Sequence, residues 1–186
     1  MIKVHEVPGL ILSILICQSA GLIGSVFTGP AITTWYVTLN QPSFTPPNWL
    51  FAPVWITLYT LMGVSAFLVW RQGLKDRQVR IALTIFSVQL IFNAFWSIAF
   101  FGLQSPLAGL IVIVMLWIAI VLTILKFFTI SKAAGVALIP YIMWVSFAAV
   151  LNVALVILIR LSFILNLFRI NVPPTFSDNL RGVFPL

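Results

Sequence analysis

The chain has 186 residues, of which 62% are apolar and 7% are charged, and its mean hydropathy is +1.17. Soluble domains carry about 25% charged residues, so this composition excludes a soluble globular protein and predicts an integral membrane protein in a lipid bilayer. The formal net charge of +7 does not predict a nucleic-acid partner, because the basic residues stand at the ends of apolar segments, where they report orientation instead.

Five apolar segments are each close to the roughly 20 residues that cross the hydrocarbon core as a helix. In chain order they are Pro8–Phe27, Pro47–Trp70, Val79–Phe101, Pro106–Phe128 and Ala133–Ile159. The alternating pattern of a transmembrane strand is absent. We therefore predict an all-α fold, a five-helix transmembrane bundle over residues 1–160, followed by a C-terminal tail of unknown role at 161–186.

Local signals predict where these helices begin and bend. Thr45 is expected to cap a second span that starts at the following prolines, and Pro53 to bend that span or loosen its first turn. The segment 102–106, bounded by glycine and proline, predicts a tight turn. Ser131 is expected to cap the fifth span, and Pro140 to kink it.

The distribution of Lys and Arg predicts the orientation. The connections between spans one and two and between spans three and four carry neither residue. With five spans, seven of the ten basic residues fall on one side: Lys3, Arg71, Lys75, Arg77, Arg80, Lys126 and Lys132. The positive-inside rule then places the N-terminus on the cytoplasmic side. A bacterial-type inner membrane is the expected location, and an organellar membrane is the alternative.

Acidic residues and histidine are nearly absent. Glu6, Asp76 and Asp178 all lie outside the predicted spans, and the single histidine is His5. No carboxylate is therefore available in the bilayer for a proton relay or for acid–base catalysis, and no metal site is expected. The pattern disfavours ordinary enzymes, and no cofactor is required.

Neutral polar residues remain inside the spans. Gln89, Asn93 and Ser97 recur at four-residue spacing and share one face of span three, while Asn152 lies in span five. Hydrogen bonds between helices are the expected role of Gln89 and Ser97. Asn93 and Asn152 could instead face a cavity and orient a ligand.

The stretch from Trp35 to Trp49 is an uncharged, proline-rich connection with aromatic residues, which is unusual between membrane spans. Trp55, Trp96 and Trp144 belong to three different spans that could converge below it. Aromatic faces arranged in this way would stack on a large planar ring. The connection is thus predicted to be the lid of a pocket with tryptophans in its walls.

Three separated motifs resemble those of the TspO/MBR family of tryptophan-rich sensory and translocator proteins. The motifs are Trp35-Tyr36-x-x-Leu39-x-x-Pro42-x-x-x-Pro46-Pro47-x-Trp49-x-x-Ala52-Pro53-x-Trp55-x-x-Leu58-Tyr59, Gln89-Leu90-x-x-Asn93-x-x-Trp96-Ser97 and Pro140-Tyr141-x-x-Trp144-x-x-Phe147-Ala148-x-x-Leu151-Asn152. The resemblance implies a five-helix bundle, often a homodimer, that binds protoporphyrin IX, haem and related tetrapyrroles beneath the connection between spans one and two.

The resemblance also implies residue roles. Trp55 and Trp144 match tryptophans implicated in light-driven porphyrin breakdown, and are the candidate catalytic residues. Pocket-lining positions correspond to Ala52, Trp55, Asn93, Trp144, Ala148 and Leu151. The full predicted ligand-binding set adds members of the same motifs and of the lid: Trp35, Trp49, Tyr59, Trp96, Phe147 and Asn152.

Three functions stay open at this point. The first is a tetrapyrrole-binding receptor or translocator that regulates tetrapyrrole levels or transport. A second is light-dependent porphyrin degradation, in which the chemistry is carried by the ligand. The third is a membrane scaffold that binds other proteins and turns over no small ligand.

Overall fold

The computed structural model describes the backbone of residues 3–167 and the side chains of residues 3–164. Within this range the chain is helical and contains no strand. The helices are α1 (Val7–Thr33), α2 (Phe51–Trp70), α3 (Arg77–Ser97), α4 (Pro106–Ile130), α5 (Lys132–Ala137) and α6 (Ile139–Leu167). Residues 168–186, the greater part of the predicted tail, lie outside the described residues, whereas 161–167 continue α6.

Five helical segments are long and apolar enough to cross a membrane. They are Val4–Thr33, Asn48–Trp70, Arg77–Gly102, Pro106–Ile130 and Lys132–Ile164, with mean hydropathies from 1.7 to 3.0. Exposed aliphatic side chains such as Leu22 and Val26 cover the outer faces, as a lipid environment requires. The predicted all-α bundle of five spans is confirmed, and the protein is an integral, multi-pass membrane protein.

Two of the predicted helix boundaries are confirmed. The hydroxyl of Ser131 accepts a hydrogen bond from the Ala134 amide at 3.3 Å and so caps α5. Span five is interrupted at Leu138, between α5 and α6, just before Pro140. Because proline lacks an amide hydrogen and its ring crowds the preceding turn, the helix breaks there.

The predicted cap of span two is wrong, although the span itself, Asn48–Trp70, begins within one residue of the predicted Pro47. Thr45 does not cap α2, because its hydroxyl donates to the carbonyl of Pro42 at 2.8 Å inside the connection. Thr45 and Pro46 each precede a proline, which disfavours the helical region for both, and Pro47 is still extended, with ψ of 142°. The chain enters α2 through a 3-10 turn at Asn48–Leu50, which confirms a loosened entry. Pro53 lies in the first turn of α2, where amide hydrogens need no helical partner.

Helix packing is closest between α1 and α2 and between α3 and α4. Gly63 of α2 lies directly against the backbone of Ile14 in α1, the close approach that small residues allow between membrane helices. The core between the helices includes Met62, Val69, Val79, Ile120 and Phe127, which are all fully buried. Helices α2 and α6 make few close backbone approaches, and side chains occupy the space between them.

One end of the bundle carries most of the charge, and we call it the basic end. Its cations are Lys3, Arg71, Lys75, Arg77, Arg80, Lys126 and Lys132. An ion pair of 3.0 Å between Arg71 and Glu6 links the ends of α1 and α2 there. The opposite end, which we call the loop end, carries the connection of residues 34–47 and the turn of residues 103–105. Gln104 in that turn has a φ of 49°, so the predicted tight turn is confirmed.

Candidate ligand site at the loop end

The connection of residues 34–47, here called the cover loop, is anchored on a group of phenylalanines. Span three ends there in a π-helical segment, Ile98–Gly102, which brings Phe100 and Phe101 side by side. The Tyr36 ring is 2% exposed and lies 5.9 Å from the Phe101 ring, while Trp35 meets Phe100 edge-on at 5.6 Å. The first part of the cover loop is therefore held on the end of span three.

The second part of the cover loop reaches α6. Phe44 packs edge-on against Phe147 with ring centroids 6.4 Å apart, and the Asn40 amide donates to the Ser162 hydroxyl at 3.2 Å. Inside the loop, the side-chain amide of Gln41 donates to the Tyr36 carbonyl at 2.7 Å. The loop thus extends across the loop end from span three to α6, which fits the geometry of a lid.

Below the cover loop, aromatic rings of α2 and α6 face each other. Phe51 meets Trp144 edge-on at 6.2 Å, and Trp144 lies 5.6 Å from Phe147. One turn deeper, Trp55 contacts Tyr141 at 6.4 Å. We call Phe51, Trp55, Tyr141, Trp144 and Phe147 the aromatic wall. Trp55 and Trp144 are only partly buried, so both indoles keep area available for a further contact.

Four buried side chains, one of them Tyr141 of the aromatic wall, form a hydrogen-bonded network that we call the floor of the site. The Tyr59 hydroxyl donates to the Asn93 side-chain oxygen, the Asn93 amide donates to the Tyr141 hydroxyl at 2.9 Å, and Tyr141 donates to Gln89 at 3.0 Å. All four side chains are buried. The predicted interhelical role of Gln89 is confirmed, and Asn93 has the same role, since it joins α2, α3 and α6.

Trp35 and Trp96 belong to a second aromatic group, around Phe100. Trp96 is stacked on Phe100 with ring centroids 5.3 Å apart and an interplanar angle of 24°. Its side chain packs against both hydrophobic clusters of the bundle, and its indole nitrogen is buried without a partner among the described residues. Trp96 therefore lies between the anchor of the cover loop and the main core.

The other predicted site residues are spread around the loop end. Trp49 is 72% exposed, and Ala52 is exposed on the first turn of α2. Ala148 is partly buried and Leu151 is buried. The Asn152 amide donates to the Pro106 carbonyl at 3.0 Å, which ties α6 to the start of α4.

Ser97, predicted to bond between helices, packs closely on α1: a Cβ added to Gly24 would lie 2.8 Å from its hydroxyl oxygen. For all twelve predicted ligand-binding residues, contact with a ligand stays a prediction.

Three aromatic residues of this region were not among the predicted site residues. Phe51 lies four residues before Trp55, and Tyr141 three residues before Trp144, so helical spacing alone could have placed each on the same face as its tryptophan. Phe44 gave no such signal, because a loop has no periodicity. Its contact with Phe147 depends on how the cover loop folds back.

The fold and this site define a class: a polytopic helical membrane protein whose lid and aromatic side chains lie at one end of the bundle. The family model of the TspO/MBR family matches residues 13–158. The chain is 47% identical over 147 residues to the tryptophan-rich protein TspO of Chlorobaculum tepidum. These aligned residues are 79% of this chain and 93% of that protein.

Similarity extends to other organisms. The tryptophan-rich protein TspO of Archaeoglobus fulgidus is 46% identical over 80% of this chain and 95% of its own length. The human translocator protein is 33% identical over 70% of this chain and 78% of its own length. The chain belongs to the TspO/MBR family, and family membership supports a translocator or sensory role.

Proposed function

We propose that the protein is a membrane receptor or translocator that binds a porphyrin, such as protoporphyrin IX or haem, at the aromatic wall under the cover loop. The observation that carries this proposal is the pairing of aromatic rings between α2 and α6, Phe51 with Trp144 and Trp55 with Tyr141. Phe44 of the cover loop reaches the same wall at Phe147. A flat, apolar ring system can stack on such indoles. Aromatic walls with a few polar groups are typical of small-molecule sites.

The hydrogen-bonded network of the floor also favours a porphyrin-like ligand. Tyr59, Asn93, Tyr141 and Gln89 use most of their hydrogen-bonding capacity on one another. The Gln89 amide nitrogen is an exception, being buried without a partner among the described residues. A mostly apolar ligand with a few polar groups matches this environment better than a sugar or a nucleotide, which would need many free donors and acceptors.

The direct test is a titration of protoporphyrin IX into the purified protein in detergent. We expect saturable quenching of tryptophan fluorescence at one porphyrin per chain, because ring stacking brings the porphyrin into contact with indoles. Non-saturable quenching that scales with detergent concentration would show partition into micelles and would exclude the site.

A second candidate function is light-dependent oxidation of the bound porphyrin, with dioxygen as the oxidant. The observation that favours it is the chain of oxidisable rings: Trp55 lies 5.5 Å from Tyr59 and 6.4 Å from Tyr141. Under illumination in air we expect the porphyrin absorption to fall faster in the complex than for free porphyrin in micelles. Equal rates, or rates unaffected by removing Trp55 and Trp144, would reject this function.

We further propose that the protein is a homodimer, as the family resemblance implies. The exposed apolar face of α1, which includes Leu22 and Val26, is a surface that a second copy could cover. Light scattering of the purified protein, corrected for bound detergent, gives the mass, and a monomer at all concentrations would contradict the proposal.

If partner proteins co-purify instead and no porphyrin binds, a scaffold function is the better description.

A further inference from the structure

A cavity of about 280 Å³ lies between α1, α2 and α3 at the basic end, away from the aromatic wall. The residues that line it include Ser13, Cys17, Ala66, Trp70, Leu83 and Phe86. Its walls are mostly apolar. The lining residues Leu12 and Ile16 of α1 are about half exposed, so the cavity opens towards the hydrocarbon around the bundle.

One cation, Arg80, is bonded beside the rim of this cavity, and a second, Lys75, is next in the chain to a residue of the rim. Leu74 lines the cavity, and the Arg80 guanidinium donates through one nitrogen to the carbonyls of Leu74 and Lys75, both at 3.0 Å. Arg80 is thereby held beside the rim, and Lys75 directly follows a lining residue. A guanidinium has five N–H donors, so Arg80 keeps donors for a further acceptor.

The neighbouring charges leave this rim positive. Arg71 is already paired with Glu6 at 3.0 Å. Asp76 accepts a hydrogen bond from the Gln78 amide at 2.7 Å as the cap of α3 and is the one other acidic residue among those described at this end. Since Lys75, Arg77 and Arg80 outnumber Asp76, an anion is attracted to the mouth of an apolar cavity.

We propose that an anionic phospholipid of the leaflet at the basic end binds here, with an acyl chain in the cavity and its phosphate at Arg80 and Lys75. Hydrocarbon walls and a cationic rim match the two parts of such a lipid, and basic pockets between membrane helices are known to hold anionic headgroups. A neutral lipid would match only the apolar cavity, and a free phosphate would match only the cationic rim. The site is separate from the proposed porphyrin site and does not depend on it.

The experiment is native mass spectrometry of the full-length, delipidated protein in detergent, titrated with phosphatidylglycerol or with phosphatidylcholine of the same chains. We expect one tightly retained phosphatidylglycerol per chain and weaker retention of phosphatidylcholine. Each rim charge is expected to contribute roughly fivefold in affinity. The double variant Lys75→Gln and Arg80→Gln should therefore lose roughly 30-fold, whereas Lys126→Gln with Lys132→Gln, at the same end of the bundle, should keep full affinity.

A second pair of variants tests the acyl-chain part. Ser87 lines the cavity yet is exposed, so Ser87→Phe fills the exposed side of the cavity without disturbing the core. Its matched control is Val88→Phe, the next residue along α3, which is 42% exposed and does not line the cavity. We expect Ser87→Phe to weaken phosphatidylglycerol binding and Val88→Phe to leave it unchanged.

Three results would overturn the proposal. Equal retention of both lipids by all charge variants would show that the cavity takes any acyl chain. Displacement of the bound lipid by soluble glycerol phosphate would assign the rim to a free phosphate. Equal binding by Ser87→Phe and Val88→Phe would place the lipid elsewhere.

Discussion

We expect replacement of Gly63 by leucine to lower the free energy of unfolding by about 3 kcal/mol, because overpacking of this kind moves whole elements. A Cβ at Gly63 would lie 2.5 Å from the Cα and 2.8 Å from the backbone nitrogen of Ile14. A backbone atom cannot rotate away as a side chain does. Helices α1 and α2 would therefore have to separate, and the cover loop that joins them would move with them.

The measurement is equilibrium unfolding in mixed micelles, with Gly29→Leu in α1 as the matched control. Apart from its chain neighbours, nothing lies within 4 Å of a Cβ built at Gly29. Leucine favours a helix over glycine by about 0.8 kcal/mol, and this gain opposes the crowding of the new Cβ by Pro30, the next residue. Gly29→Leu is therefore expected to lower the free energy of unfolding much less than Gly63→Leu. Similar stability of the two variants would contradict the close α1–α2 contact.

Replacement of both Trp55 and Trp144 by leucine is expected to weaken protoporphyrin IX binding about 30-fold. Each ring contact contributes about 1 kcal/mol beyond the buried area, and about 2 kcal/mol for the pair corresponds to this factor. Because the variants lack two of the fluorophores, the absorption band of the porphyrin must be followed instead. Replacement of both by phenylalanine keeps a ring and should retain most of the affinity.

Trp117→Leu is the control for the loss of an indole as such. Trp117 lies on α4, is 40% exposed, and donates its indole N–H to Ser146 at 2.9 Å. We expect its replacement to leave porphyrin affinity unchanged. The tryptophan pair would be excluded as the site if the double leucine variant, with native helicity and melting behaviour, bound porphyrin as the wild type does.

Most of the fold followed from composition and local signals. Hydrocarbon thickness sets the length of a spanning helix, so five apolar segments were enough to predict five spans. Ser131 and Pro140 act through neighbouring backbone atoms, and for this reason the cap of α5 and the break before α6 could be read directly. The same local reasoning went wrong at Thr45, where two following prolines favour an extended backbone and the hydroxyl bonds to Pro42 instead.

The candidate site was only partly accessible to such reasoning. Trp55, Trp96 and Trp144 were expected to converge as one group, yet Trp96 stacks on Phe100 near the anchor of the cover loop, while Trp55 and Trp144 belong to the aromatic wall. Asn93 was considered as a ligand group, and its amide is bonded to two tyrosines. Which neighbours a polar side chain meets depends on how three helices rotate against one another, and hydropathy does not specify that rotation.

By itself, the sequence determined that this is a membrane protein of five helices, with most of its cations gathered at one end and an uncharged aromatic connection at the other. Those properties depend on transfer of residues from water to lipid, which each segment decides locally. Only the tertiary structure decided that the cover loop bridges Phe100 and Phe147, that Tyr59, Asn93, Tyr141 and Gln89 form one network, and that Arg80 stands at the rim of an apolar cavity. Each of these contacts joins residues far apart in the chain, so each exists only once the helices have packed.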